Sequence, residues 1–184
     1  SQGDAGRTVY KGVAVKIIQM VLILAATLLS TVAQADQQAE INATLEKFHR
    51  AAARADVVDY FQGTTDEVVF LGTDGSERWQ GQEFRDFVSS HFSKGRGWDY
   101  RALERNVTIS PDGQTAWFDE ALQNEGLGLC RGSGVLVNST DGWKIAQYNL
   151  SVPIPNAMVL EVVADIAAQG TAASTGTQAE SNDN

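Results

Sequence analysis

Between Gln37 and Ala55 the apolar residues Ile41, Leu45, Phe48, Ala52 and Ala55 recur at alternating spacings of four and three. That spacing places them on one stripe of an amphipathic helix, with Glu46, Lys47, Arg50 and Arg54 on its other faces. Asp56 to Phe61 continues as a short second helix. The pattern then changes period. Val68-Val-Phe-Leu71 reads as a strand, and Gly72-Thr-Asp-Gly75 turns it into Glu77-Arg-Trp79. After Gly81 a further helix carries Phe84, Phe87, Val88 and His91 on one face. Four alternating segments follow: Trp98 to Ser110, Thr115 to Asn124, Leu129 to Val137 and Trp143 to Val152, with Pro111-Asp-Gly113 as the first turn. A last helix is predicted from about Asn156 to Ala168. Residues 169–184 contain no large apolar side chain and read as a disordered tail. Helices first and a long meander afterwards predict an α+β domain over residues 36–168, with helices packed on one face of an antiparallel sheet.

Strand parity predicts which side chains meet inside. With residues 138–142 as a loop, Val137 pairs with Trp143, Val135 with Ile145, Ser133 with Gln147 and Arg131 with Asn149. Trp143 and Ile145 need burial, so that whole face should point towards the helices. A turn near Glu125-Gly126 adds Asp119 opposite Arg131 and Trp117 opposite Ser133. The result is an apolar floor that gives way to Asp119, Arg131, Gln147 and Asn149, the arrangement of a small-molecule site, with Trp79, Trp117 and His91 as walls. A one-residue bulge would undo this assignment. Each residue also has a structural reading. Asp119 and Arg131 can be a register-fixing pair, Gln147 and Asn149 can satisfy one another, and His91 and the tryptophans can be packed core.

Several chemistries have no residues to carry them. Two distant histidines and a single cysteine make no zinc set. Gly126-Leu-Gly-Leu-Cys-Arg-Gly-Ser-Gly134 lies within strands and opens no helix, so it is no phosphate or dinucleotide loop. No cofactor or metal is expected. Cys130 alternates with Gly132 and Gly134 on the face opposite Arg131, and reads as a small packed residue, or one at a dimer surface, rather than an activated thiol.

The N-terminus is of a different kind. Lys11 and Lys16 precede the apolar run Ile17 to Leu29, and Ala33 and Ala35 stand at the small-residue positions before Asp36. That is the pattern of a secretory signal peptide over residues 1–35, predicting a periplasmic or secreted product. An uncleaved anchor is the alternative, although the run is short for a membrane span. Residues 1–14 would be an over-extended reading frame if Val15 is the true start. Removing Arg7, Lys11, Lys16 and Asp4 from 14 basic and 23 acidic residues leaves 11 and 22, a charge of −11. So acidic a surface disfavours nucleic acid and anionic membranes as partners.

The blocks Gly72-Thr-Asp-Gly-Ser-Glu-Arg-Trp79, Trp117-Phe-Asp-Glu120 and Cys130-Arg-Gly-Ser-Gly134, with the closing hairpin to Pro155, resemble SnoaL-like proteins of the nuclear transport factor 2-like superfamily. The resemblance covers about residues 41–163. It implies a cone-shaped, strongly curved sheet with helices on its concave face, and a homodimer. Ketosteroid isomerase shares that fold, and its catalytic groups can be sought here one at a time. The helix tyrosine falls on Phe48, eight residues before Asp56; the base falls on Phe70; the protonated aspartic acid falls near Ser133 or Gly134. All three groups are missing, so isomerase chemistry of that kind is not expected. The function expected is binding of a small, mostly apolar molecule. The alternatives are a cofactor-free lyase, isomerase or hydrolase using Asp119 or His91 as acid/base, and an assembly module whose cavity is filled by its own side chains.

Overall fold

The computed structural model describes Met20 and residues 34–180, with side chains through residue 169. The leader expected over residues 1–35 lies, but for Met20, Gln34 and Ala35, outside the described residues. Helix α1 spans 34–53 and buries Ile41, Leu45, Phe48, Ala51 and Ala52, the stripe its periodicity predicts. It ends in a Schellman turn: Asp56 N donates to Ala51 O at 3.0 Å and Ala55 N to Ala52 O at 3.2 Å. Such a turn needs a left-handed residue, and Ala55 supplies it with φ 54° where glycine is usual. Asp56 then caps α2 (Val57–Gln62) by accepting from Asp59 N at 3.0 Å.

The sheet follows, with one helix inserted. Strands β1 (Thr64–Leu71) and β2 (Arg78–Gln80) form a hairpin, and α3 (Gly81–Phe92) starts directly after it. Then come β3 (Arg101–Ile109), β4 (Thr115–Asn124), β5 (Gly128–Ser139) and β6 (Gly142–Ser151). The six strands lie in the order β2-β1-β6-β5-β4-β3. All neighbours are antiparallel except β1 and β6, which run parallel, so the sheet is not antiparallel throughout as expected. No hairpin joins these two strands, and the intervening chain is long enough to allow either direction.

Helices α1, α2 and α3 cover one face of this curved, open sheet and bury a single core with it. On β4 the core takes Ala116, Phe118, Glu120 and Leu122; on β5 it takes Cys130 and Leu136; on β6 it takes Trp143, Ile145, Tyr148 and Leu150. The other face carries Trp117, 49% exposed, and Leu129, 57% exposed, with no helix over them.

Two local features overturn the expected inner face. The β5–β6 connection is the two-residue turn Thr140-Asp141 in place of the five-residue loop, and Ser139 pairs with Gly142 and Asn138 with Trp143, one residue out of the expected register. Every β5 side chain therefore changes face, and β4, in register with β5, changes with it. A bulge then interrupts β6 between Ile145 and Gln147, opposite Leu136 and Val135. Beyond it Tyr148 and Leu150 point inward while Gln147 and Asn149 point out.

After a 3₁₀ turn (Asn156–Met158), helix α4 runs Val159–Glu180, well past Ala168 where the sequence placed its end. Its backbone is thus helical over most of the tail expected to be disordered, and alanines at 167, 168, 172 and 173 favour that state. Leu160, Val163 and Ile166 on α4 are exposed.

Candidate functional site

Between the helices and the inner face of the sheet lies a cavity of about 160 Å³. Its walls are mainly aromatic: Phe48 from α1, Tyr60 from α2, Phe70 and Trp79 from the first hairpin, Phe87 from α3 and Trp98 from the segment before β3. The rings pack on one another, Trp79 on Phe87 at 4.2 Å and Phe48 on Tyr60 at 4.3 Å between centroids. Exposed Thr73 and half-buried Glu77 also border it, while Phe48, Tyr60 and Tyr148 at its other side are buried. Trp98 is held there by a close crossing. Its backbone N–H donates to Ala52 O at 2.9 Å, and a Cβ on the preceding Gly97 would strike the carbonyls of Ala52 and Ala53.

One wall is polar. His49 follows Phe48 on α1, is 8% exposed, and borders both the aromatic cavity and a neighbouring polar cleft beside Glu46, Arg50 and Arg101. Its Nε2 lies 2.7 Å from Oε1 of Glu120. The Tyr148 hydroxyl donates to the same oxygen at 2.8 Å, and Arg105 Nε donates to Oε2 at 2.7 Å. Arg105 stands directly opposite Glu120 on β3, and its Nη1 continues to Glu46 Oε1 at 3.2 Å. The Glu120 side chain is fully sealed from solvent. Burial alone pushes a carboxyl pKa up. Here the hydrogen bond and charge of His49, the charge of Arg105 and the Tyr148 hydroxyl together bring it below its ordinary value. Burial, then the Glu120 charge, raises Tyr148 well above the usual phenol range, which keeps it a donor. Gly132 makes room for this group: a Cβ there would collide with the Tyr148 hydroxyl and with Glu120.

Of the residues expected from the sequence to bind a ligand, Trp79 alone lines the cavity. His91 stands behind the wall, stacked at 4.7 Å on Trp98, and burial followed by the charges of Arg96 and Lys94 lowers its pKa. Trp117, Asp119, Arg131, Gln147 and Asn149 lie on the opposite face of the sheet, for the register reasons given above. Asp119 faces Ser133 rather than Arg131 and accepts from Asn106 Nδ2 at 3.3 Å. Phe48 and Phe70, which stand where the isomerase tyrosine and base were sought, are apolar cavity walls. Cys130 is buried in the core, and burial raises its thiol pKa. Among the described residues no group of three potential metal ligands occurs, and no helix is long and apolar enough to cross a membrane.

His49, Glu120, Tyr148 and Arg105 were missed. One was detectable: Glu120 interrupts the alternating apolar series Ala116, Phe118, Leu122. A charge in an apolar row implies a buried partner.

A curved, open six-stranded sheet with three helices on one face, enclosing a pocket, defines a domain of the nuclear transport factor 2-like, cystatin-type fold. The chain belongs to the SnoaL-like domain family, whose profile matches residues 41–155. None of the curated proteins matches it. Among solved structures it is similar to a proposed dehydratase of the NTF2-like family from Streptomyces avermitilis, at 15% identity and TM-score 0.57, covering 66% of this chain and 99% of that one. An NTF2-like protein with a cystatin-like fold from Novosphingobium aromaticivorans matches at 12% identity and TM-score 0.56, covering 71% and 90%. A proposed ketosteroid isomerase from Shewanella frigidimarina matches at 19% identity and TM-score 0.50, covering 61% and 94%. At these identities the likeness establishes the fold alone.

Proposed function

We propose that the cavity binds a small, mostly apolar molecule about the size of one ring. The observation that carries this reading is the lining: a half-open pocket of about 160 Å³ walled by stacked aromatic side chains with one polar corner at His49. A volume of about 150 Å³ is enough to hold benzene. Native mass spectrometry of gently purified protein tests it. A bound mass should be present, and Ala52→Leu, which fills the cavity from α1, should remove it while the melting transition stays cooperative. A protein free of adducts that also takes up no ring-sized compound contradicts the reading.

A second reading, acid–base turnover of the bound molecule, is favoured by the imidazole–carboxylate pair of His49 and Glu120 at 2.7 Å. His49 takes the role first considered for Asp119 or His91, since neither of these borders the cavity. Conversion of the captured mass on incubation, lost in His49→Gln, is the expected result under this reading.

The chain is further proposed to be exported and homodimeric. Lys16, the apolar run Ile17 to Leu29 and Ala33/Ala35 support export. Exposed Trp117 and Leu129 on the uncovered sheet face support self-association. Fractionation of expressing cells and sedimentation of Trp117→Lys test these two points.

A further inference from the structure

We propose that the ring-sized molecule carries an ammonium group, held at the pocket mouth by the carboxylate of Glu77. This rests on the cavity reading above and gives it a chemical class. Strand register places the carboxylate. Phe70 pairs with Trp79 across the first hairpin, and both line the pocket. The bond from Gly72 N to Glu77 O at 2.9 Å carries that pairing two residues further, so Glu77 falls on the same face as Trp79. Gly72 bears this out. A Cβ there, on the side of Phe70, would strike Glu77 Oε2, so the missing side chain leaves that space to the carboxylate.

Glu77 is half-buried and borders the pocket. Its Oε2 accepts from Asp74 N at 3.2 Å, and its Oε1 has no protein partner among the described residues. None of their ion pairs includes it. Its charge is felt across the pocket: burial first, then Cys130 and Glu77, raise the phenol pKa of Tyr100, which also lines it. The surroundings supply no cation in answer. No lysine or arginine lines the pocket. His49 belongs to a group in which Glu120 and Glu46 face Arg105, so two negative charges and one positive leave a total of zero or −1, whichever form the imidazole takes. The adjoining polar cleft sets Glu46, Asp99 and Glu125 against Arg50 and Arg101. A half-buried carboxylate without a counter-charge is costly, and a ligand ammonium would supply one through a charge-assisted hydrogen bond. The rings of Trp79, Phe87 and Trp98 take the apolar remainder of the molecule.

Benzylamine, benzyl alcohol, benzoate and toluene titrated into the full chain at pH 7, followed by protein NMR, provide the test. Benzylamine is charged at that pH, as a lysine side chain is. It should bind about three- to tenfold more tightly than benzyl alcohol, between the worth of an exposed ion pair and that of a buried charged hydrogen bond. Benzoate should bind more weakly than either. Glu77→Gln should cut the preference for benzylamine to less than about twofold and change toluene affinity by no more than that. Equal affinities for benzylamine and benzyl alcohol, tighter binding of benzoate, or a preference that survives Glu77→Gln would overturn the proposal and leave the cavity reading standing. If Glu77→Gln does not fold, salt decides the matter with the wild-type protein. The preference should shrink between about 0.01 M and 1 M sodium chloride, where the screening length falls from about 30 Å to about 3 Å; a preference that salt leaves unchanged refutes it. Failure of all four compounds to saturate any site would sink the cavity reading, and this proposal with it.

Discussion

Glu120 is the residue on which the site turns. It is a charge inside an apolar row, tolerated because both oxygens are occupied by His49, Tyr148 and Arg105. Removing one member of such a buried group strands the others. Glu120→Ala should therefore lower the unfolding free energy by about 3–5 kcal/mol in a urea titration. Glu120→Gln keeps an acceptor and should cost less. Ala55 offers a change of opposite sign. A left-handed alanine is strained by about 1–2 kcal/mol, and glycine avoids that at a smaller entropic cost. Ala55→Gly should stabilise by about 0.5–1 kcal/mol, measured as a rise in denaturant midpoint at unchanged slope.

Among the elements, the two hairpins beside the site decide which side chains are inside. Ala146 is the extra residue of the β6 bulge, and it alone brings Tyr148 and Leu150 round to the core. Deleting Ala146 should send both outward and abolish the cooperative melting transition, which calorimetry would detect; a cooperative variant with unchanged near-ultraviolet dichroism would refute this account of the bulge. The same elements explain what the sequence could reveal. Helices α1 and α3 were legible because one apolar stripe of period 3.6 needs no partner to be recognised, and strand β4 was placed end to end by its alternation. Faces were not legible, because a one-residue shift of hairpin register inverts a strand without altering its pattern. Asp119, Arg131, Gln147 and Asn149 share a face, but it is the one away from the helices, and neither Asp119 nor Asn149 lies opposite Arg131 as expected. His49 was hidden for another reason: it sits beside the apolar stripe of α1, and only the strand beneath reveals its partner.

For the whole molecule, the pair of depressed pKa values sets a direction with pH. The folded state holds Glu120 below the ordinary carboxylate value of 4.5, so its stabilisation is present above that value and is lost as the pH falls through the lowered one. His91 is held below 6.5, so its neutral form is favoured, and stability falls as the pH drops below 6.5. The melting temperature should be flat between about pH 7 and pH 8, decline slightly from about pH 6.5 downward and fall steeply below about pH 4.5. A further decline is expected above about pH 9, as the thiol and phenol buried at Cys130 and Tyr148 ionise only on unfolding. Glu120→Gln should remove part of the steep limb and His91→Gln the upper one. The central claim is that the binding cavity lies under the helices and not on the uncovered face of the sheet. The chain's four tryptophans report on both places: Trp79 and Trp98 line the cavity, Trp143 is buried in the core, and Trp117 stands on the other face. A nitrogen–proton correlation spectrum resolves their indole signals during a titration with toluene. The signals of Trp79 and Trp98 should move and saturate together while those of Trp117 and Trp143 stay in place. A saturating shift of Trp117 with Trp79 and Trp98 unmoved would contradict the account.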